Sequence, residues 1–426
     1  MFSFYIYINS KTNFMSTLFL GSCDLGKIPM DRKKYLSPYH KDGLTASAVS
    51  FRDDDRTTWR SFRQENGNEV AQLQQFLYKA GFMPRGVVDG VFDYVTQSAA
   101  RLFQEYIRTL DSEGDKTMVP DGIVGSGTMK HVQRWKNQGK VADWGKSSSA
   151  NLTKEYNDWI KLLNEAKAFY KSTPGPIMQA VNALPKTYST IKAKDWNFST
   201  DEIHLIGIRR KQDSAATVKR ANDDFFVLLV NGMVFKFWGS TDPSKNMVKN
   251  NIPPSLVEGQ HKYRFGWHKI SEEKKIYRAL KPYDPAGVII LRDLDRDNAL
   301  TPNDLTVKGN NSLEVNNSIN IHWSGMGTSN WSAGCQVIAG ENYINNQNEL
   351  VDCSKFASPG YNDLTSSSKK TKGAYNVLAD LIVCYSKPGV DHVLYTLGRE
   401  ESLNLDANFG SNYASNALRK MNPSAV

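Results

Sequence analysis

The sequence predicts a multidomain α+β chain in which a small three-helix bundle precedes a mixed β-rich domain. Two observations predict it. Apolar residues recur at helical spacing from Val70 to Trp135, and two Asp-Gly turns interrupt them. Further on, the unbroken apolar run Phe225–Val230 meets Asn231-Gly232 and is followed by a second apolar stretch, Met233–Trp238. This is the pattern of a buried hairpin closed by a tight turn.

The elements follow in order. Residues 1–63 are polar and mixed, with Pro29, Pro38 and the charged run Arg52–Arg56, and read as an irregular N-terminal arm or docking segment. In residues 64–140, Val70, Leu73, Phe76 and Leu77 mark a first helix, which Gly81 ends. After Asp89-Gly90, Thr96 opens a second helix carrying Ala99, Ala100, Phe103 and Ile107 on one face. After Asp121-Gly122, Thr128 opens a third, short helix ending near Trp135. Each threonine follows its glycine by six positions. Residues 141–195 form a connector with a Ser-rich start and an amphipathic helix through Tyr156, Ile160, Leu163, Ala166 and Tyr170, broken by Pro174-Gly175-Pro176. Residues 196–400 form the β-rich domain. Its strands include the hairpin, Gly287–Leu291 and Ile319–Trp323, and Ala374–Tyr385 reads as a helix running into a strand. Residues 401–426 read as a tail.

Composition narrows the function classes. With 426 residues, 40% hydrophobic and 11% aromatic, the chain can build more than one real core. Its net charge of +9 suits an anionic partner, but the basic runs Arg32-Lys33-Lys34 and Lys369–Lys372 are short, so nucleic acid is not the expected partner. The four cysteines, Cys23, Cys335, Cys353 and Cys384, form no C-x-x-C pair. Cys353 and Cys384 read either as a disulfide or as two buried thiols. No apolar window reaches transmembrane length. Leu20-Gly21-Ser22-Cys23 resembles a lipoprotein cleavage box, but its apolar run is short and Lys11 is its one nearby basic residue, so no secretory signal is expected.

The stretch with chemistry is Asn320-Ile321-His322-Trp323 followed by Trp331-Ser332-Ala333-Gly334-Cys335. A thiol becomes a strong nucleophile once an imidazole takes its proton. Glycine before it lets a substrate carbonyl approach, and the N–H groups of Gly334 and Cys335 are candidates for holding an oxyanion. A second constellation, Asp293, Asp295, Asp297 and Asp304, has carboxylates at positions 1, 3, 5 and 12 of a twelve-residue loop, which reads either as a structural Ca²⁺ site or as an acidic surface loop. No cofactor is expected in catalysis.

Residues 64–138 resemble the peptidoglycan-binding domain of cell-wall hydrolases through Val70, Leu73-Gln74, Asp89-Gly90-Val91-Phe92, Thr96 and Phe103-Gln104. Two departures are Asp93, where the family usually has glycine, and the insert Arg108–Met118. The second half of the chain resembles the L,D-transpeptidase (YkuD-like) catalytic domain. The resemblance rests on the glycine-bearing strand Val257–Tyr263 with Gly266–Lys269 after it, on Ile321-His322 and on Ser332-Ala333-Gly334-Cys335. Ala333 stands where that family has a second histidine. This resemblance implies a cysteine enzyme acting on peptidoglycan stem peptides at an L,D bond, as a transpeptidase or carboxypeptidase. Cys335 would be the nucleophile, His322 the base, a carbonyl near Trp323 its orienter, and Ser332, His261, Tyr263, His268 and Trp331 would line the substrate groove. Two alternatives stand beside it: a non-catalytic wall-anchoring protein, and a wall-degrading component of a phage tail or secretion machine. The expected place of action is the cell envelope, the extracellular space or such a particle.

Overall fold

The computed structural model describes residues 16–425 except 29–50, 54–57, 61–62, 85–86, 147–151, 211–221, 245–251, 253, 269–276, 297–299, 308–311, 328, 361–370 and 388–389. The helical unit comprises α1 (Glu69–Lys79), α2 (Tyr94–Thr109) and α3 (Ser126–Gln138). Its core stacks Phe76, Phe82, Phe103, Tyr106 and Trp135 edge to face.

The duplicated turn has a physical basis. Gln74 Nε2 donates to Asp89 Oδ1, the Val91 carbonyl and Thr96 Oγ1, each at 3.0 Å, while its Oε1 accepts the Gly90 N–H at 2.9 Å. Gln104 repeats the cage one helix later. It donates to Asp121 Oδ1 (3.4 Å), the Ile123 carbonyl (2.9 Å) and Thr128 Oγ1 (3.0 Å), and accepts from the Gly122 N–H (2.8 Å). Gly90 and Gly122 have φ of 77° and 75°, a left-handed conformation that favours glycine. Asp93 is explained as well. It is the N-cap of α2, extended at φ −92°, and its carboxylate accepts the Thr96 N–H at 2.8 Å.

Within the segment expected to be an irregular arm, the stretch from Leu18 to Leu25 and Arg63 are built into this unit. Ser22–Cys23 pairs in parallel with Arg63–Gln64, Leu18 exchanges backbone hydrogen bonds with Val124, and Asp24 accepts the N–H groups of Val70 and Ala71 at the start of α1. Cys23 is buried, and burial, reinforced by Asp89, Asp24 and Glu65, pushes its thiol pKa up to about 12. These are pairings between residues more than 40 positions apart, and no local periodicity announces them.

The β-rich domain is built on eight strands: β1 (His204–Arg209), β2 (Asp224–Val230), β3 (Met233–Ser240), β4 (Gly259–His268), β5 (Tyr277–Pro282), β6 (Ile321–Trp323), β7 (Gln336–Ile338) and β8 (Val393–Arg399). They run in the order β7-β6-β5-β4-β8-β1-β2-β3, and β3 pairs with β7, so the sheet closes into a barrel. The pairs β6/β7 and β1/β8 are parallel and the other six antiparallel. The apolar run in β2 is unbroken because both faces are covered. Phe226, Leu228 and Val230 join one core, Phe225, Val227 and Leu229 the other. The first core contains α6 (Ala374–Tyr385), a helix buried along its whole length. The second contains α4 (Lys154–Ser172), α5 (Pro176–Ala183) and α7 (Tyr413–Met421).

Two expectations are corrected. Ala374–Tyr385 is helical throughout, and the strand it was expected to enter is the separate β8. The C-terminal tail is folded: Leu418 and Met421 are buried, and the Met421 carbonyl accepts from Asn342 Nδ2 at 2.9 Å. The four cysteines are free thiols, and Cys353 and Cys384 are both buried.

Candidate active site

Strand register brings the predicted pair together. β6 and β7 are parallel, with Ile321 opposite Gln336 and His322 opposite Val337. One step earlier, the Gln336 N–H donates to the Asn320 carbonyl at 2.9 Å. Because side chains alternate, Asn320, His322 and Cys335 fall on one face. His322 is buried, and its Nδ1–H is shared between the Trp323 carbonyl at 2.8 Å and Tyr277 Oη at 2.9 Å, while the Tyr277 hydroxyl donates on to Trp323 O at 3.4 Å. A proton held on Nδ1 leaves Nε2 as the basic nitrogen. His268, the last residue of β4, stacks on His322 with ring centroids 4.3 Å apart and planes at 20°.

Cys335 is half-buried at the end of the loop that enters β7. Its Sγ–H donates to the Ser318 carbonyl at 3.1 Å, and Sγ accepts the Asn320 N–H at 3.4 Å. The loop is pinned from below. Asn330 Nδ2 donates to Ser240 Oγ and the Asp242 carbonyl, Asn330 Oδ1 accepts the Ser332 N–H, and Ser332 Oγ donates to the Cys335 carbonyl at 2.7 Å. Gly334 sits at φ 148°, and a Cβ there would lie 2.7 Å from the Pro254 carbonyl. This tight approach requires glycine.

Several expected site residues have other roles. The Gly334 N–H donates to Ser332 Oγ at 3.1 Å, so in this arrangement it is committed to the loop and not to an oxyanion. Ser332 is itself buried and builds the turn instead of meeting substrate. His261 is fully buried between Thr190 Oγ1 and the Val257 carbonyl, each at 3.0 Å, and burial pulls its pKa down to about 4. Tyr263 is buried with its hydroxyl on the Ile319 carbonyl. Both lie on the face of β4 turned to the core, while Lys262 and Arg264 on its other face are half-buried. Trp331, by contrast, is 61% exposed on the loop leading to Cys335.

The acidic loop divides. Asp293, Asp295 and Asp304 bring carboxylate oxygens within 4.8 Å of one another, and Asp297 lies outside the described residues. Asp304, however, closes a capping box with Thr301. Its Oδ1 accepts the N–H groups of Leu294 (2.6 Å) and Asp295 (3.4 Å), and its Oδ2 accepts that of Thr301 (2.9 Å). A carboxylate so engaged fits a loop brace better than the terminal ligand of a calcium loop.

Sequence reading missed Tyr277 and Asn320. Tyr277 opens a strand that carries no turn or motif signal of its own, and Asn320 stood in the informative stretch without a role. The helical unit carries a separate groove of about 630 Å³, lined by Gln72, Gln75, Phe76, Val88, Lys136 and Lys140 among others. Burial lowers the pKa of Lys136 there.

Among known proteins, no curated sequence and no solved structure matches the chain. Residues 66–132 match the family described as "Putative peptidoglycan binding domain". No described helix is long and apolar enough to cross a membrane. With its paired Asp-Gly turns, its glutamine cages and this family match, the segment 66–132 is a peptidoglycan-binding domain.

Proposed function

We propose that this protein is a peptidoglycan-modifying cysteine enzyme that cleaves stem peptides at an L,D bond, with Cys335 as nucleophile and His322 as base. The observation that carries the reading is the Nδ1–H of His322 held by the Trp323 carbonyl and Tyr277. It leaves Nε2 basic on the strand face that also carries Cys335. The peptidoglycan-binding domain in the same chain supports the substrate class.

The steps follow from these groups. His322 Nε2 takes the thiol proton as Cys335 leaves the Ser318 carbonyl, and the thiolate adds to the peptide carbonyl. The tetrahedral intermediate collapses as the imidazolium returns the proton to the departing D-amino acid nitrogen, leaving a thioester on Cys335. An amine then gives a crosslink, or water gives a trimmed peptide, and the thiol is regenerated.

A second reading, a non-catalytic wall-anchoring protein, is favoured by one observation: the Gly334 N–H is engaged by Ser332 instead of being offered to an oxyanion. The deciding experiment incubates tetrapeptide monomers and crosslinked dimers with wild type and Cys335→Ala and reads the products by mass. Loss of terminal D-alanine, or a new crosslink, in wild type alone is the expected result. Retained wall binding with no Cys335-dependent product would establish the anchoring reading.

A further inference from the structure

Asn320 immediately precedes β6 and shares a strand face with His322 and Cys335. Its main-chain N–H donates to Cys335 Sγ, and its side-chain Nδ2 donates to His268 Nδ1 at 3.3 Å. The residue is 7% exposed, and its Oδ1 is buried without a hydrogen-bond partner among the described residues. A buried amide oxygen left without a donor is destabilising, and folds seldom keep one without a use. Turning the amide over does not relieve it, because the NH₂ group would then be stranded in the same place. His268 holds the amide in this orientation and is itself stacked on His322.

The geometry points to Asn320 as a substrate-orienting residue of the Cys335 site: its Oδ1 accepts the N–H of the peptide bond under attack. The inference rests on the enzyme reading above. In acyl transfer the amide nitrogen is bonded directly to the carbon that sulfur attacks, so an acceptor beside the thiol is placed to engage its N–H. An ester offers no such N–H, which makes the residue a discriminator for peptides over esters. The oxygen is covered in the resting site, where the thiol donates to Ser318. Its engagement therefore requires the oxygen to be uncovered as substrate binds. His268 acts through Asn320, as a positioning residue.

The test measures binding without turnover. In a Cys335→Ala background, a stem tetrapeptide ending in D-alanine and its ester analogue are titrated calorimetrically against the parent and against Asn320→Leu. Asn320→Leu is expected to weaken peptide binding about tenfold, leave ester binding unchanged and leave the melting temperature equal or higher, because an unpartnered polar group has been removed. Asn320→Asp, which keeps an acceptor oxygen, serves if the leucine variant does not fold and should bind the peptide more tightly than Asn320→Ala. Equal peptide affinity for parent and Asn320→Leu, or for Asn320→Asp and Asn320→Ala, overturns the inference while leaving the enzyme reading intact. A parent that binds neither ligand overturns both.

Discussion

Arg101 and Asp380 form a two-pronged ion pair across the boundary between the helical unit and the barrel. Nε lies 2.7 Å from Oδ2 and Nη2 lies 2.9 Å from Oδ1, and each side chain is 1% exposed. Arg278, next to the Tyr277 that touches His322, adds Nη2 to the same Oδ1 at 2.8 Å and reaches Ser98 Oγ with Nη1. Glu105 extends the seam by accepting the Tyr343 hydroxyl at 2.6 Å. Asp380→Ala takes the carboxylate away from two buried guanidinium groups and is expected to cost about 3–5 kcal/mol. The helical unit and barrel should unfold together in denaturant titrations followed by tryptophan fluorescence and by far-UV circular dichroism. Two separated transitions in wild type would refute the shared seam.

The glutamine cages should be energetically equivalent. Gln74→Ala and Gln104→Ala each leave buried turn groups unpaired and are expected to cost about 2–3 kcal/mol. Urea unfolding of the two variants tests this, and a cost below about 0.5 kcal/mol for either would show that its turn is held by other contacts.

Tyr277→Phe removes one hydrogen-bond partner of His322 Nδ1 and keeps the ring. The rate of Cys335 alkylation by iodoacetamide at neutral pH is expected to fall about tenfold, by analogy with the effect of losing an outer partner of a metal-bound histidine. An unchanged rate would mean that the Tyr277 hydroxyl is not needed to fix the imidazole.

Acid should destabilise the barrel through two histidines. Burial pulls both His204 and His261 down to about 4. Between pH 6.5 and 4 the unfolded chain binds protons that the folded chain refuses, so stability is full above the unfolded value and is lost as pH falls through this window. His261→Gln should therefore flatten the pH dependence of urea midpoints over pH 4–6.5 relative to wild type. An identical slope would place the histidine's proton elsewhere.

Asp304→Asn disturbs a capping box and is expected to lower stability by about 1 kcal/mol. If the loop is braced by that box, the loss is the same in chelator and in millimolar Ca²⁺. A wild-type melting temperature that rises with Ca²⁺, and a variant that does not respond, would instead support the metal reading.

The parts of this fold that could be read from sequence are those governed by near neighbours. Gly90 and Gly122 needed left-handed backbone, Asn231-Gly232 needed a hairpin, and the β2 run needed two covered faces. The thirteen-residue spacing and the glycine before Cys335 suggest that His322 and Cys335 lie near each other, and the register sets both on one strand face. What stayed hidden depends on distant partners. Strand alternation cannot say which side of β4 is interior, so His261 and Tyr263 looked like lining residues. Leu18 finds Val124, and Arg101 finds Asp380 279 positions away. The stacking of His268 on His322 joins two strands that are not neighbours in the barrel.

Helix α2 serves two masters: one face completes its own bundle, and another, through Ser98, Arg101 and Glu105, meets the barrel. Wall-binding segments of this kind invite treatment as interchangeable cassettes. Here a transplant cut at the ends of the 66–132 match would bring side chains suited to water against Asp380, Arg278 and Tyr343. Recombination at those joints would yield a chimera that folds only if these three α2 positions travelled with the recipient.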